Sequence, residues 1–130
     1  MNYHIRDIFS SNTITMAPDD GVWSAFLKMK SNSIRHIPIV DAKKKILGII
    51  SDRDVLNSIA NLYGARKLSD PIISEIMTKD PLTIKLHDAA SLGAVMMLNH
   101  KIDSLVVTND AEECVGIVTS YDMLRLVGGN

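Results

Sequence analysis

Two short segments carry side chains able to act on a ligand: Ser51-Asp52-Arg53-Asp54 and Thr119-Ser120-Tyr121-Asp122. Each follows glycine and two apolar residues, Gly48-Ile49-Ile50 and Gly116-Ile117-Val118, a pattern that closes a strand before a helix begins. A carboxylate at such a place can accept both hydroxyls of a vicinal diol. A hydroxyl beside the free N–H groups of a helix start suits an anion. The same Ser/Thr-x-x-Asp spacing is also a variant of the capping box, in which acid and hydroxyl satisfy backbone donors. No catalytic device accompanies either segment. His4, His36, His87 and His100 do not fall at metal-ligand spacing within one helix. Neither segment has a positioned histidine base for a triad, and no glycine-rich phosphate loop is present. The expectation is a binding module with no metal and no catalytic cofactor, not an enzyme.

The elements that position these segments occur twice. A shift of 68 residues, without a gap, lays Gly48-Ile49 on Gly116-Ile117 and Asp54 on Asp122. It also pairs Ile5 with Ile73, Ile8 with Ile76, Thr15 with Thr83, Asp20 with Asp88, Met29 with Met97, Ile34 with Ile102 and Leu56 with Leu124. Chance does not hold one register over so long a stretch, so the chain is an internal duplication.

Each half opens with a short helical turn (5–9, 73–77) and a brief extended piece, Thr13-Ile14-Thr15 or Leu82-Thr83-Ile84. A helix follows, with N-terminal acids at Asp19-Asp20 or Asp88 suited to capping. In the first such helix Val22, Trp23, Phe26, Leu27 and Met29 form a stripe expected to face the core. In the second, Ala89 to Leu98 is apolar nearly all round, which implies burial on more than one side. Two strands (37–40 and 46–51; 105–107 and 115–119) and a closing helix complete each half. Residues 61–71 read as the connector, giving a first repeat over 1–60 and a second over 72–130. This β-α-β-β-α order, an α/β (α+β) class, leaves each half with one uncovered sheet face. Two halves packed sheet to sheet with pseudo-two-fold symmetry would cover both.

Composition agrees with one ordered globule. Apolar residues make up 46% of 130, charged residues 22%, and the net charge is −1, which does not suggest a nucleic-acid surface. The single cysteine, Cys114, rules out an internal disulfide and sits in an apolar strand as a small core residue. No apolar run reaches the ~20 residues that span a bilayer, and the N-terminus lacks the pattern of a signal peptide. A cytoplasmic protein without membrane insertion is expected.

From about Ile5 to Val127 both halves resemble CBS (cystathionine-β-synthase) domains. The resemblance rests on the Ile-Arg-Asp-Ile opening, the strand Arg35-His36-Ile37-Pro38-Ile39-Val40-Asp41, and the two Gly-apolar-apolar-Ser/Thr-x-x-Asp segments. It implies a disc-like regulatory pair that commonly dimerises and senses an adenosine-containing ligand in the cleft between repeats. By that resemblance Asp54 and Asp122 hold ribose hydroxyls, while Ser51 and Thr119 contact phosphate. Ile37 and Pro38 would line the adenine slot, and Thr15 and Thr83 precede the helices where backbone groups read the adenine edge.

The two sites are not expected to be equal. In the family, basic residues just before the first strand of the pair often face phosphate. The first repeat has Arg35-His36 there, and the second has Asp103-Ser104. A guanidinium makes bidentate bonds to phosphate, whereas an aspartate repels it. Arg53 adds a cation where the second copy has Tyr121, and Val106 stands in place of Pro38. AMP, ADP or ATP in the first repeat is therefore the leading ligand, with S-adenosylmethionine or a dinucleotide as the alternative. A bland role remains open for Arg35 and Arg53, as ion-pair partners of Asp52 or Asp41. A degenerate pair serving only dimerisation or docking is the competing function. A homodimer and an unidentified effector protein are the expected partners.

Overall fold

The computed structural model describes residues 2–11, 14–65 and 69–129. The chain forms two compact units. One, here the central unit, is Ile14–Asp80; the other, the split unit, joins the described parts of Met1–Thr13 and Pro81–Asn130.

In the central unit α1 (Val22–Asn32), β1 (His36–Val40), β2 (Ile46–Ser51), α2 (Asp52–Ala65) and β3 (Thr78–Lys79) follow in order, with a 3-10 turn at Ile73–Glu75. β1, β2 and β3 form an antiparallel sheet in that spatial order. In the split unit β4 (Thr83–Lys85), α3 (Ala90–His100), β5 (Ser104–Thr108), β6 (Cys114–Thr119) and α4 (Ser120–Val127) follow a 3-10 turn at Ile5–Asp7. Its sheet pairs β4 with β5 in parallel and β5 with β6 antiparallel. The class is mixed α/β, with two three-stranded sheets and four helices.

The repeats exchange their opening segments. β3, from the start of the second repeat, pairs with β2 of the first through Ile49 and Thr78. Ser10, from the start of the first repeat, bridges Ile117 on β6, with N–H···O distances of 2.9 and 3.3 Å. Buried Ile73 accordingly belongs to the core of the central unit and Ile5 to that of the split unit. Each buried isoleucine contributes roughly 1.5–3 kcal/mol of transfer free energy, so the exchange fastens each opening segment where it lies.

The cores repeat the duplication. Val22, Ala25, Met29, Ile37, Ile39 and Ile50 are buried in the central unit. Their counterparts by the shift of 68 are Ala90, Gly93, Met97, Leu105, Val107 and Val118, all buried. Side chains alternate along β1 and β5, so Ile37 and Ile39 share the core face.

Several sequence expectations are corrected. Of the extended piece expected at 13–15, Ile14 and Thr15 form no strand and the next residue, Met16, makes one parallel bridge to Ile39; Thr13 lies outside the described residues. Asp20 and Asp88 do not cap α1 and α3. Their Oδ2 atoms accept from the N–H groups of Ala17 and Lys85, at 2.9 Å each, and tie the preceding turns. The positions before the helices are Gly21 and Ala89, without side-chain caps. Instead Asp70 reaches α1 and accepts from the Trp23 N–H at 3.1 Å. Trp23 and Leu27 of the expected core stripe are exposed, since Ala25 takes the buried position between Val22 and Met29. Residues 61–65, read as connector, are the last turn of α2. Among the described residues no helix is long and apolar enough to cross a membrane.

Candidate functional site

At the end of β2 the chain passes directly into α2, and Ser51 and Asp54 form a reciprocal capping pair. The Ser51 N–H donates to Asp54 Oδ2 at 3.0 Å, and the Asp54 N–H donates to Ser51 Oγ at 3.2 Å. The second junction repeats it: Thr119 N–H to Asp122 Oδ2 at 2.8 Å, and Asp122 N–H to Thr119 Oγ1 at 3.3 Å. There the Thr119 hydroxyl also donates to Asp122 Oδ2 at 3.1 Å. The capping role weighed for these acids is thus present at both junctions. It engages only Oδ2; among the described residues Oδ1 of Asp54 takes no hydrogen bond. That oxygen remains able to accept from a ligand hydroxyl.

The antiparallel register brings the basic residues to the same corner. His36 sits opposite Ser51, and the Asp52 N–H donates to the Arg35 carbonyl at 2.8 Å. Arg35 Nε lies 3.4 Å from Asp52 Oδ2, with the arginine side chain 70% exposed. An ion pair so exposed contributes little and leaves the guanidinium free to exchange partners. Arg53, on the first turn of α2, is exposed. At the matching corner of the split unit Ser104 sits opposite Thr119, and the Ser120 N–H donates to the Asp103 carbonyl at 2.9 Å. The backbone is the same and the charge is reversed. Arg53 is replaced by Tyr121, whose ring lies 6.0 Å from the Arg125 guanidinium carbon.

The apolar candidates separate. Ile37 is fully buried in the core, so its side chain lies on the opposite face of β1 from Pro38. Pro38 is buried as well, and its carbonyl accepts from the Met16 N–H at 3.2 Å, which places exposed Thr15 beside it. Thr83 pairs in parallel with Val106, the equivalent place in the split unit.

One feature escaped the sequence reading. An open depression of about 570 Å³ in the central unit is lined by Asp54, Asn57, Ser58, Asn61, Asp70 and Glu75, among others. Its sequence signal is the spacing of Asp54, Asn57, Ser58 and Asn61, three and four apart along one face of α2. Among the described residues no group of three or more His, Cys, Asp and Glu side chains is arranged to hold a metal ion. Burial pushes the Cys114 thiol above its ordinary pKa, and this residue lies on β6 outside both corners.

Comparison with known proteins places this architecture. Residues 5–61 and 73–129 each match the CBS domain family. The chain is 32% identical over 125 residues to L-aspartate semialdehyde sulfurtransferase of Methanocaldococcus jannaschii, a match covering 96% of this chain and 23% of that protein. It spans about a quarter of the length of the curated relatives it matches. Among solved structures, the CBS domain pair of protein MJ0100, in complex with 5′-methylthioadenosine and S-adenosyl-L-methionine, is 31% identical with a TM-score of 0.87. That similarity covers 99% of this chain and 98% of the other. A putative acetoin utilization protein (AcuB) from Vibrio cholerae is 29% identical with a TM-score of 0.82, over 99% and 93% of the two chains. With its duplicated sequence, its two similar cores and both halves matched, the chain belongs to the CBS domain family and carries two copies of the domain.

Proposed function

We propose that this chain is a regulatory module that binds an adenosine-containing ligand at the Ser51–Asp54 corner of the central unit. The observation that carries the reading is the unused Asp54 Oδ1 beside the N-terminus of α2, with Arg35, His36 and Arg53 at the same corner. The carboxylate suits the ribose diol, while the hydroxyl, helix N–H groups and cations suit phosphate. Thr15, exposed beside the Pro38 carbonyl, would present backbone groups to the edge of the base. AMP, ADP or ATP is the ligand this charge favours. The split unit, with Thr83, Thr119 and Asp122 but Asp103 in place of Arg35, would bind more weakly or take a less charged adenosine compound.

A second reading, S-adenosylmethionine or 5′-methylthioadenosine, is favoured by the 31% identical CBS pair that was crystallised with both. In either reading the module is cytoplasmic and non-catalytic. It signals through an effector protein or through a second copy, by binding two arrangements with different affinity. Calorimetric titration with AMP, ATP, S-adenosylmethionine and 5′-methylthioadenosine tests this. Saturable binding of one of them, lost in a folded Asp54→Ala variant, supports the reading. No binding of any leaves a CBS pair that serves only dimerisation or docking.

A further inference from the structure

α3, expected to be buried on more than one side, instead leaves Leu98 77% exposed, and that apolar face names no partner. The charges on the two hairpin turns do. β1 and β2 are joined through Asp41-Ala42-Lys43-Lys44-Lys45, β5 and β6 through Asn109-Asp110-Ala111-Glu112-Glu113. The shift of 68 lays Lys44 and Lys45 on Glu112 and Glu113, and Lys43 and Asp110 add one more charge to each turn.

The backbone frame is common to both turns. Asp41 Oδ1 accepts from the N–H groups of Lys43 and Lys45 at 2.8 and 3.0 Å. Asn109 Oδ1 accepts from those of Ala111 and Glu113 at 3.0 and 2.9 Å. Lys44 and Glu112 are both left-handed, with φ of 66° and 62°. Asp41 and Asn109 therefore close the turns, and the charges that follow are free to take either sign. Lys43, Lys44, Asp110 and Glu112 are exposed. Among the described residues Lys43, Lys44 and Glu112 enter no ion pair within the chain, and Asp110 meets His87 at 3.7 Å.

Like charges crowded on one turn repel one another, and a turn of opposite sign relieves that repulsion. Taking the three lysines away from the net charge of −1 leaves −4 on the rest of the chain. An extended polyanion would be repelled beyond the lysine turn, whereas a compact acidic turn would not. The chain itself carries such a turn.

We infer that the lysine turn 41–45 docks on the acidic turn 109–113 of a second copy of this chain. The contact joins unlike faces, so it is heterologous and extends from copy to copy. It involves no helix. It lies at the Val40–Ile46 end of the strand pair, opposite the end where His36 meets Ser51, and leaves the Ser51–Asp54 corner open.

Sedimentation velocity of the wild type over a concentration series, at about 10 mM and about 500 mM salt, tests the contact. The screening length is ~30 Å in the first and below ~8 Å in the second. The expected result is a greater average mass at low salt than at high salt, with the excess growing as concentration rises. Lys43→Glu with Lys44→Glu makes both turns acidic, and Asp110→Lys with Glu112→Lys makes both basic. Each double variant should lose the low-salt excess, its dissociation constant raised roughly 10-fold or more by like charges meeting. An equimolar mixture of the two should regain it, because one chain supplies acidic turns and the other basic ones. Circular dichroism melts verify that both fold; Lys44 already holds a lysine in the left-handed place that Glu112 occupies. An excess that survives both variants, a mixture no heavier than its components, or a wild-type mass independent of salt overturns the inference. No substitution touches the Ser51–Asp54 corner, so these outcomes leave the proposed ligand standing, and a failed ligand titration leaves this contact standing.

Discussion

The central and split units share a backbone corner and differ in what surrounds it. Both close a strand on Ser or Thr, open a helix at the next residue, and lock that Ser or Thr to the Asp three residues after it with reciprocal hydrogen bonds. Around this common frame the central unit sets Arg35, His36 and Arg53, and the split unit sets Asp103, Ser104 and Tyr121. The helix surfaces diverge as well, with Trp23 and Phe26 on α1 where α3 has Ser91 and Ala94. Constraint on the core and on the cap kept the duplicates alike, because a changed core volume or a lost cap costs stability wherever it occurs. Exposed positions carry no such penalty and were free to become two different surfaces.

The sharpest way to break the comparison is to remove the two acids separately. Asp54→Ala should lower affinity for the bound adenosine compound by roughly 100-fold, the effect of losing charge-assisted bonds to two hydroxyls. Asp122→Ala should leave that binding within about twofold, and each variant should lose about 1 kcal/mol of stability from its cap. Equal loss of binding in both, by calorimetry, would remove the asymmetry.

Glycines on the two sheets give the next largest effect. A Cβ at Gly116 would fall 2.1 Å from the Ser10 carbonyl oxygen and 2.7 Å from the Phe9 ring, while one at Gly48 would fall 2.5 Å from the Met77 sulfur and 2.9 Å from the Thr78 carbonyl oxygen, a milder backbone clash. A methionine side chain yields more readily than a backbone carbonyl. Gly116→Ala is expected to cost about 2–3 kcal/mol and Gly48→Ala about 1–2, measured by urea denaturation. The reverse order would mean that the split unit holds the residue 9–10 segment more loosely than its contacts indicate.

Arg35→Ala should weaken a phosphorylated nucleotide by roughly 10-fold and leave 5′-methylthioadenosine unaffected, with stability changed by less than about 0.5 kcal/mol for so exposed a pair. Unchanged nucleotide affinity would leave Arg35 as the ion-pair partner of Asp52 and nothing more. The smallest expected effect belongs to Cys114. Burial raises its thiol pKa in the folded state, so the unfolded chain releases that proton first as the solution becomes alkaline. Stability of the wild type relative to Cys114→Ala should fall as pH rises through the thiol range of the unfolded chain. A pH-independent difference in melting temperature would contradict that burial.

The duplication made most of the fold legible. Ile37, Ile39 and Ile50, with their partners Leu105, Val107 and Val118, occupy the expected strands because strand alternation is written in the order of residues. The same is true of the two capping boxes, whose bonds span three residues. The acids Asp20 and Asp88 misled, since an aspartate three residues after a free N–H ties a turn as readily as it caps a helix. Trp23 and Leu27 misled because an apolar period does not say which of two adjacent stripes faces inward.

Local spacing therefore determined the repeats, their elements and the residues at each strand-to-helix corner, because these depend on interactions a few positions apart. Only the tertiary structure decided that residues 78–79 complete the sheet of the first repeat, that Ser10 joins that of the second, and that Asp70 caps α1. It also decided that Arg35 and His36 share a corner with Ser51, through a strand register linking residues 15 apart. Such contacts join positions distant in the chain, and their free energy is realised only after the cores have closed around them.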